Sequence, residues 1–287
     1  MEKEILENYE KAMKIAEEVI TYSKKIDFKN KKILNIAEEI ENVIRSFGGK
    51  PAWPVNININ EIAAHYTPDV NDAIILKEGD LVKLDIGVHV KGYIADRAFT
   101  VCVGQTTHPL IEASEKALKE AMKLIKPGTK IYEISEVVEN TVNGLGFNTI
   151  RNLCGHAVGR FNQHVHPSIP NGKNTIKEEI EVDQVIAMEV FTTNGSGWVT
   201  ESSPTIIFKY KQDKPVRLFE ARKILEMAKY SFDMLPFTRR WIKDISPIKF
   251  DMAINQLTNV DALYDYPPLK EEANGLVAQT EETVIVK

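Results

Sequence analysis

The chain has 287 residues, 43% hydrophobic and 27% charged, with a net charge of −5. That length and apolar content support a soluble protein with a large core, and the acidic balance excludes one built chiefly on a basic nucleic-acid footprint, so no specific nucleic-acid partner is expected. Two cysteines, Cys102 and Cys154, cannot form a disulfide framework and read as small core residues, and no apolar run reaches the roughly 18 residues needed to span a bilayer.

The N-terminus, "MEKEILENYEKAMKIAEEVI", is charged from its second residue and lacks the apolar segment of a signal peptide, so a cytoplasmic location is expected. Residues 4–25 and 33–47 place apolar side chains at helical spacing: Ile5, Tyr9, Met13, Ala16 and Ile20 in the first, Ile33, Ile36, Ile40 and Ile44 in the second. Gly48 and Gly49 stop the second helix, and "KPAWPVN" turns the chain into an extended stretch. Residues 81–104 are rich in Val, Ile and aromatics around Lys91-Gly92 and read as a β-hairpin. Helices are predicted near 108–126 and 131–145, strands at 183–193 and 204–210, and a mostly helical stretch at 215–258 before a closing strand, "GLVAQTEETVIVK". Strands grouped with pairs of helices predict an α+β fold, and no nucleotide-binding glycine motif interrupts that reading.

Four carboxylates sit where strands are predicted: Asp85 in "VKLDIGV", Asp96 in "YIADRAF", Glu189 in "VIAMEVF" and Glu281 in "VAQTEETVIV". A carboxylate taken out of water without a partner costs several kcal/mol, so strand interiors are depleted of them. Ten residues separate Asp85 from Asp96. A loop of two or four residues with those acids directly opposite, or a turn at Lys91-Gly92 with Asp85 facing Ala98, both leave the pair on one face, about 5–8 Å apart at Cβ. Two anions that close need a cation between them, or one must hold a proton. An ion pair with Arg97 is the plainer alternative for any one acid, but strand alternation points Arg97 to the opposite face. Together with a glycine-flanked histidine, His156 in "GHAVG", four such acids suit a pair of divalent ions. The stretch 155–171 also holds His164 and His166, and Pro167 and Pro170 rule out one shared helix face.

In this order, "AHYTP" at 64–68, Asp85 and Asp96, "GHAVG" at 155–159, "AMEVF" at 187–191, "YPPL" at 266–269 and "AQTEET" at 278–283 resemble the methionine aminopeptidases, in the short archaeal-like form of their type II branch. The resemblance implies a pita-bread fold, a curved antiparallel sheet with helices outside, forming a single catalytic domain over 1–287 with a helical insertion at about 195–262. It implies two divalent metal ions, with Asp85, Asp96, His156, Glu189 and Glu281 as ligands. Cobalt, manganese, iron(II) and zinc all suit such oxygen and nitrogen donors. It further implies His65, His164 and Glu189 as catalytic groups, and Trp53, Phe191 and Tyr266, beside His65 and His164, as the substrate pocket. The implied reaction is attack of a metal-bridged water on the first peptide bond of proteins and peptides that begin with Met and continue with a small residue. The substrates would be nascent-protein N-termini, with the lysine-bearing N-terminal helices as the one surface offered for transient ribosome association.

Three departures stand out. Glu282 follows Glu281 where the family has histidine; alignment on "AQ" and Thr283 makes Glu281 the ligand and sends Glu282 to the other face. Trp53 replaces a more usual phenylalanine, and Gln163 an apolar residue beside His164. A prolidase-like activity on X-Pro bonds and a non-catalytic binding role are the competing readings.

Overall fold

The computed structural model describes all residues 1–287. Two helices open the chain, α1 (Lys3–Ser23) and α2 (Ile33–Ser46). The predicted stripe of α2 is fully buried at Ile33, Ile36, Ile40 and Ile44, while α1 buries Tyr9, Ala16 and Ile20 and rests Ile5 and Met13 at the margin of a core. Truncating one of these buried isoleucines to alanine costs about 2–5 kcal/mol. Gly48, at φ 84°, carries the chain out of α2 in a conformation that side chains resist.

Short strands β1 (Lys50–Pro51), β2 (Asn56–Ile59) and β3 (Ile62–Ala64) lead into a long hairpin, β4 (Leu81–Val90) and β5 (Tyr93–Cys102). Its turn is Lys91-Gly92, at φ 52° and 92°, the positive values that a two-residue hairpin turn requires. That turn decides the register: Asp85 faces Ala98, and Gly87 faces Asp96. Helices α3 (Pro109–Leu124) and α4 (Ile131–Asn143) follow, the first capped by His108 Nδ1, which accepts from Leu110 N at 3.2 Å.

Next come β6 (Asn148–Thr149), β7 (Cys154–Gly159), β8 (Asn162–Pro170), β9 (Val185–Thr193), β10 (Val199–Glu201) and β11 (Ile207–Tyr210). The histidine-rich stretch is therefore a hairpin, β7 with β8. The region predicted as mostly helical holds α5 (Phe219–Glu226), β12 (Phe237–Thr238) and α6 (Pro247–Asn259). Its α-helices lie towards the two ends, and between them the chain makes only short turns of helix and the strand β12, where Pro236 cannot donate a helical hydrogen bond. Strands β13 (Leu263–Tyr266), β14 (Leu269–Glu271) and β15 (Val277–Ile285) complete the chain.

The main sheet is antiparallel, in the order β1-β4-β5-β15-β9-β7-β8, with β2 added on β4 and β6 on β9. The last strand thus lies between β5 and β9 at its centre. Alternation sorts the two faces. Val82, Leu84, Ile86 and Val88 pack on α1 and α2, and Ile186, Met188, Val190 and Val286 pack on α3 and α4, so the helices cover one face. Asp85, Asp96, Glu189 and Glu281 point from the other. This is the α+β, helix-backed pita-bread arrangement. The segment from β11 to β13 forms a three-stranded sheet, β12-β11-β13, around its own core of Phe208, Ile224, Phe237, Phe250 and Leu257. It docks on α2 through Arg240, whose guanidinium meets the buried Glu41 carboxylate, with Nη1 donating to Oε2 at 2.6 Å. No helix is long and apolar enough to cross a membrane.

Candidate metal centre

Residues directly opposite in a ladder share a face, as do residues two apart along a strand. Asp85 faces Ala98, Ala98 faces Glu281, and Glu281 faces Glu189, so one row crosses β4, β5, β15 and β9. Ala98, the smallest member, leaves open space between the acids on either side. The next row carries Gly87 opposite Asp96, then Thr283 opposite Ala187, and Ala187 opposite His156. Thr283 Oγ1 ties the row together, accepting from Asp96 N at 2.8 Å and donating to Asp96 O at 2.7 Å. Donor atoms of Asp96, His156 and Glu281 all lie within 4.8 Å of one another, and His156 Nε2 is 3.8 Å from Asp96 Oδ2. Asp85 and Glu189 flank them along the first row.

The protein itself does not neutralise this cluster. Burial pushes the Asp85 carboxyl up to about 6, against the pull of hydrogen bonds from Trp53 and Gln279. Burial, then Glu281 and Asp85, hold Asp96 well above the carboxylate range. Glu281 is raised by burial and by Glu189 and Asp85, and Glu189 by burial and the nearby Cys154, Asp96 and Asp85. Asp96 Oδ1 and Glu281 Oε1 are buried with no hydrogen-bond partner. The nearest arginine, Arg97, lies on the other face, 2.7 Å from Glu17 and 3.6 Å from Glu282. That contact also separates the two adjacent glutamates: Glu281 is buried among the acids, while the Glu282 side chain is 46% exposed beside Arg97.

The donor set suits divalent cations: four carboxylates that cannot all ionise without a counter-charge, and one imidazole. His156 Nδ1 donates to Ala157 O at 3.2 Å, which fixes the tautomer and leaves Nε2 free to ligate. Burial lowers its pKa to about 4, so the ring is neutral near pH 7.

Every residue singled out in the sequence as ligand, catalytic group or pocket wall lines one cleft with a volume of about 80 Å³. His65 stands at its edge with φ 65°, its backbone N–H donating to Asn56 Oδ1 at 3.1 Å and its Nδ1 to Pro267 O at 3.3 Å. Its ring meets Tyr266 edge to face with centroids 5.5 Å apart, and burial lowers its pKa to about 4. His164 packs its ring 4.5 Å from that of His156. His166 is not brought to the cluster; its side chain is exposed and bonds Glu178 at 2.5 Å.

Several contacts at the cleft escaped sequence reasoning. Gln279, fully buried, donates through Nε2 to Glu189 Oε2 at 3.2 Å and lies 3.5 Å from Glu281 Oε2, bridging two acids. Strand alternation could have found it, two residues before Glu281 on the same face. Gln163 donates to Tyr266 Oη at 3.0 Å and accepts from Lys209 Nζ at 2.8 Å. Ile207 and Pro236 reach the cleft from the segment between β11 and β13, and nothing local in the sequence announces that. A roomier cavity of about 620 Å³, between α2 and residues 231–243, is lined by charges that largely pair with one another, among them Lys50 with Asp233 and Arg240 with Glu41.

The profile of metallopeptidase family M24 matches residues 7–287. A methionine aminopeptidase of Thermococcus onnurineus (strain NA1) is 47% identical over 258 residues, covering 89% of this chain and 88% of its own. Among solved structures, a thermophilic Arx1 aligns with a TM-score of 0.86 at 17% identity, over 99% of this chain and 88% of its own. Methionine aminopeptidase from Thermotoga maritima aligns with a TM-score of 0.73 at 20% identity, over 100% of this chain and 94% of its own. At such identities the two structures bear on the fold alone.

Proposed function

The chain belongs to metallopeptidase family M24, among its methionine aminopeptidases, and on that premise we propose that it removes initiator methionine from nascent cytoplasmic proteins whose second residue is small, using two divalent ions held by Asp85, Asp96, His156, Glu189 and Glu281. The observation that carries this reading is the buried pair of rows, in which four carboxylates and one tautomer-fixed imidazole converge with no protein cation among them. When bound, the ions supply Lewis-acid polarisation of the scissile carbonyl and lower the pKa of the attacking water.

The chain's own groups do the rest. Glu189, raised by burial, accepts the proton of the attacking water and passes it to the leaving amine. His65 carries its proton on Nδ1, toward Pro267 O, so its Nε2 is an acceptor suited to the scissile N–H. His164 donates an N–H to the oxyanion that forms at the carbonyl. The substrate's free α-amine docks at the acid cluster, which restricts cleavage to chain ends. The methionine side chain lies among Trp53, Phe191 and Tyr266, where its thioether gains contact with aromatic rings. Translating ribosomes present such N-termini, and exposed Lys11, Lys14, Lys24 and Lys25 on and just after α1 form the surface for transient contact there.

Comparing kcat/KM on Met-Gly-Met, Met-Leu-Met and Met-Pro tests the proposal after loading with cobalt(II), manganese(II) or iron(II). Met-Gly-Met is expected to exceed Met-Leu-Met by at least about tenfold, since each added methylene that must fit a tight site is worth roughly 1–3 kcal/mol. Equal rates on the two, or a preference for Met-Pro, would overturn it.

A further inference from the structure

Trp53 touches the centre in a way that a pocket wall does not require. Its indole Nε1 donates to Asp85 Oδ1 at 3.0 Å, and the ring is 8% exposed. The ring lies flat against β4 over Gly87, where an added Cβ would come within 2.5 Å of Cε2, Cζ2 and Cη2. Gly87 is two residues from Asp85 on the same face and directly opposite Asp96. The missing side chain at 87 is therefore what lets a bicyclic ring settle beside both acids.

The backbone around Trp53 is held on either side. Ala52 N donates to Gly87 O at 2.9 Å, and Pro54 O accepts from Asn56 Nδ2 at 2.7 Å. Indole nitrogen can only donate, so its bond to Asp85 is made in full when the carboxylate is ionised. A phenylalanine would furnish the same apolar wall and no donor.

We infer that Trp53 is a positioning residue for Asp85, orienting that carboxylate for a divalent ion while its ring face walls the substrate cleft. The inference rests on the metal reading of the site above. Outer-shell donors to ligating carboxylates typically contribute about 10–100-fold to metal affinity.

The test titrates metal-free wild type, W53F and G87A with manganese(II) by calorimetry, and records the ligand-field spectrum of each with cobalt(II). W53F keeps the aromatic wall and loses the donor, so its Kd for manganese is expected to rise about tenfold or more with an altered cobalt spectrum. G87A keeps the donor but displaces the ring, and it should weaken metal binding in the same direction. Wild-type affinity and spectrum in W53F would overturn the role of Trp53 and leave the proposed function standing; failure of the wild type to bind manganese or cobalt would overturn both.

Discussion

Glu281 faces Glu189 directly across the ladder between β15 and β9, so two carboxylates stand side by side at the centre of an antiparallel sheet. Like charges directly opposite destabilise a sheet, and burial makes the cost larger. Within the protein they share only the amide of Gln279, and Glu281 Oε1 has no partner. Strand pairing alone does not call for this arrangement. A cation binding between the rows gives it a purpose.

Removing Glu281 should therefore remove metal, and removing its neighbour should not. Glu281→Gln is expected to lose bound manganese on dialysis, while Glu282→Gln, on the face of Arg97, should retain the wild-type content. Elemental analysis of the dialysed proteins decides between them, and the reverse pattern would exchange the two glutamates.

The three histidines of the β7–β8 hairpin should separate into three phenotypes. His156→Ala should lose metal and activity together. His164→Ala should keep metal while kcat falls about 10²–10³-fold, the usual cost of one oxyanion donor, and His65→Ala, which removes the acceptor for the scissile N–H, should also keep metal while activity falls. His166→Ala, which breaks only an exposed contact to Glu178, should be close to wild type in both. Metal content and steady-state kinetics on the same preparations provide the check.

Stability of the metal-free protein should fall as pH rises through the folded values of its buried acids. Asp85, Asp96, Glu189 and Glu281 all have folded pKa values above their unfolded ones, so the folded state holds extra protons and loses stability as pH climbs through the folded values. The buried imidazoles of His65 and His156 are lowered to about 4, and they oppose the trend only below the ordinary histidine value of about 6.5. A thermal scan series run upward in pH from about 6.5, clear of the imidazoles, should show Tm dropping, and added manganese should restore it. A metal-free Tm that rises over that range would contradict the burial of the acids.

The attachment of the β11–β13 segment should depend on Glu41. Its carboxylate, buried on α2, takes hydrogen bonds from Arg240, from Trp241 Nε1 at 2.8 Å and from Val55 N at 3.1 Å. Glu41→Ala leaves the Arg240 guanidinium buried and unpaired, a loss of about 3–5 kcal/mol, whereas Glu41→Met with Arg240→Met should cost much less. Urea unfolding of both variants measures it; near-equal losses would mean that the charge pairing is not what holds the segment.

Much of this was legible in the chain. The stripe of Ile33, Ile36, Ile40 and Ile44 marked α2 and its buried face. Acids embedded in Val- and Ile-rich stretches marked a centre on one face of a sheet. The hairpin register was open between two solutions, and Lys91-Gly92 settled it because both residues take positive φ. Other features left no local trace. Gln163 stands out only as a polar residue beside His164 until Lys209 and Tyr266 close on it from β11 and β13. Trp53 reads as a wall until Gly87 brings its nitrogen to Asp85.

The sequence by itself determined which side chains share a face, because alternation and helical period are properties of neighbouring residues. It also carried, in the order of its motifs, the family to which the chain belongs. Only the tertiary structure decided which faces meet. Glu281 reaches Glu189 and Ala98 because the last strand enters between β5 and β9, and Arg240 reaches Glu41 from 199 residues away. Such pairings depend on packing the whole chain, where the burial of two helix-covered cores selects one strand order and leaves the acids of four strands facing one another.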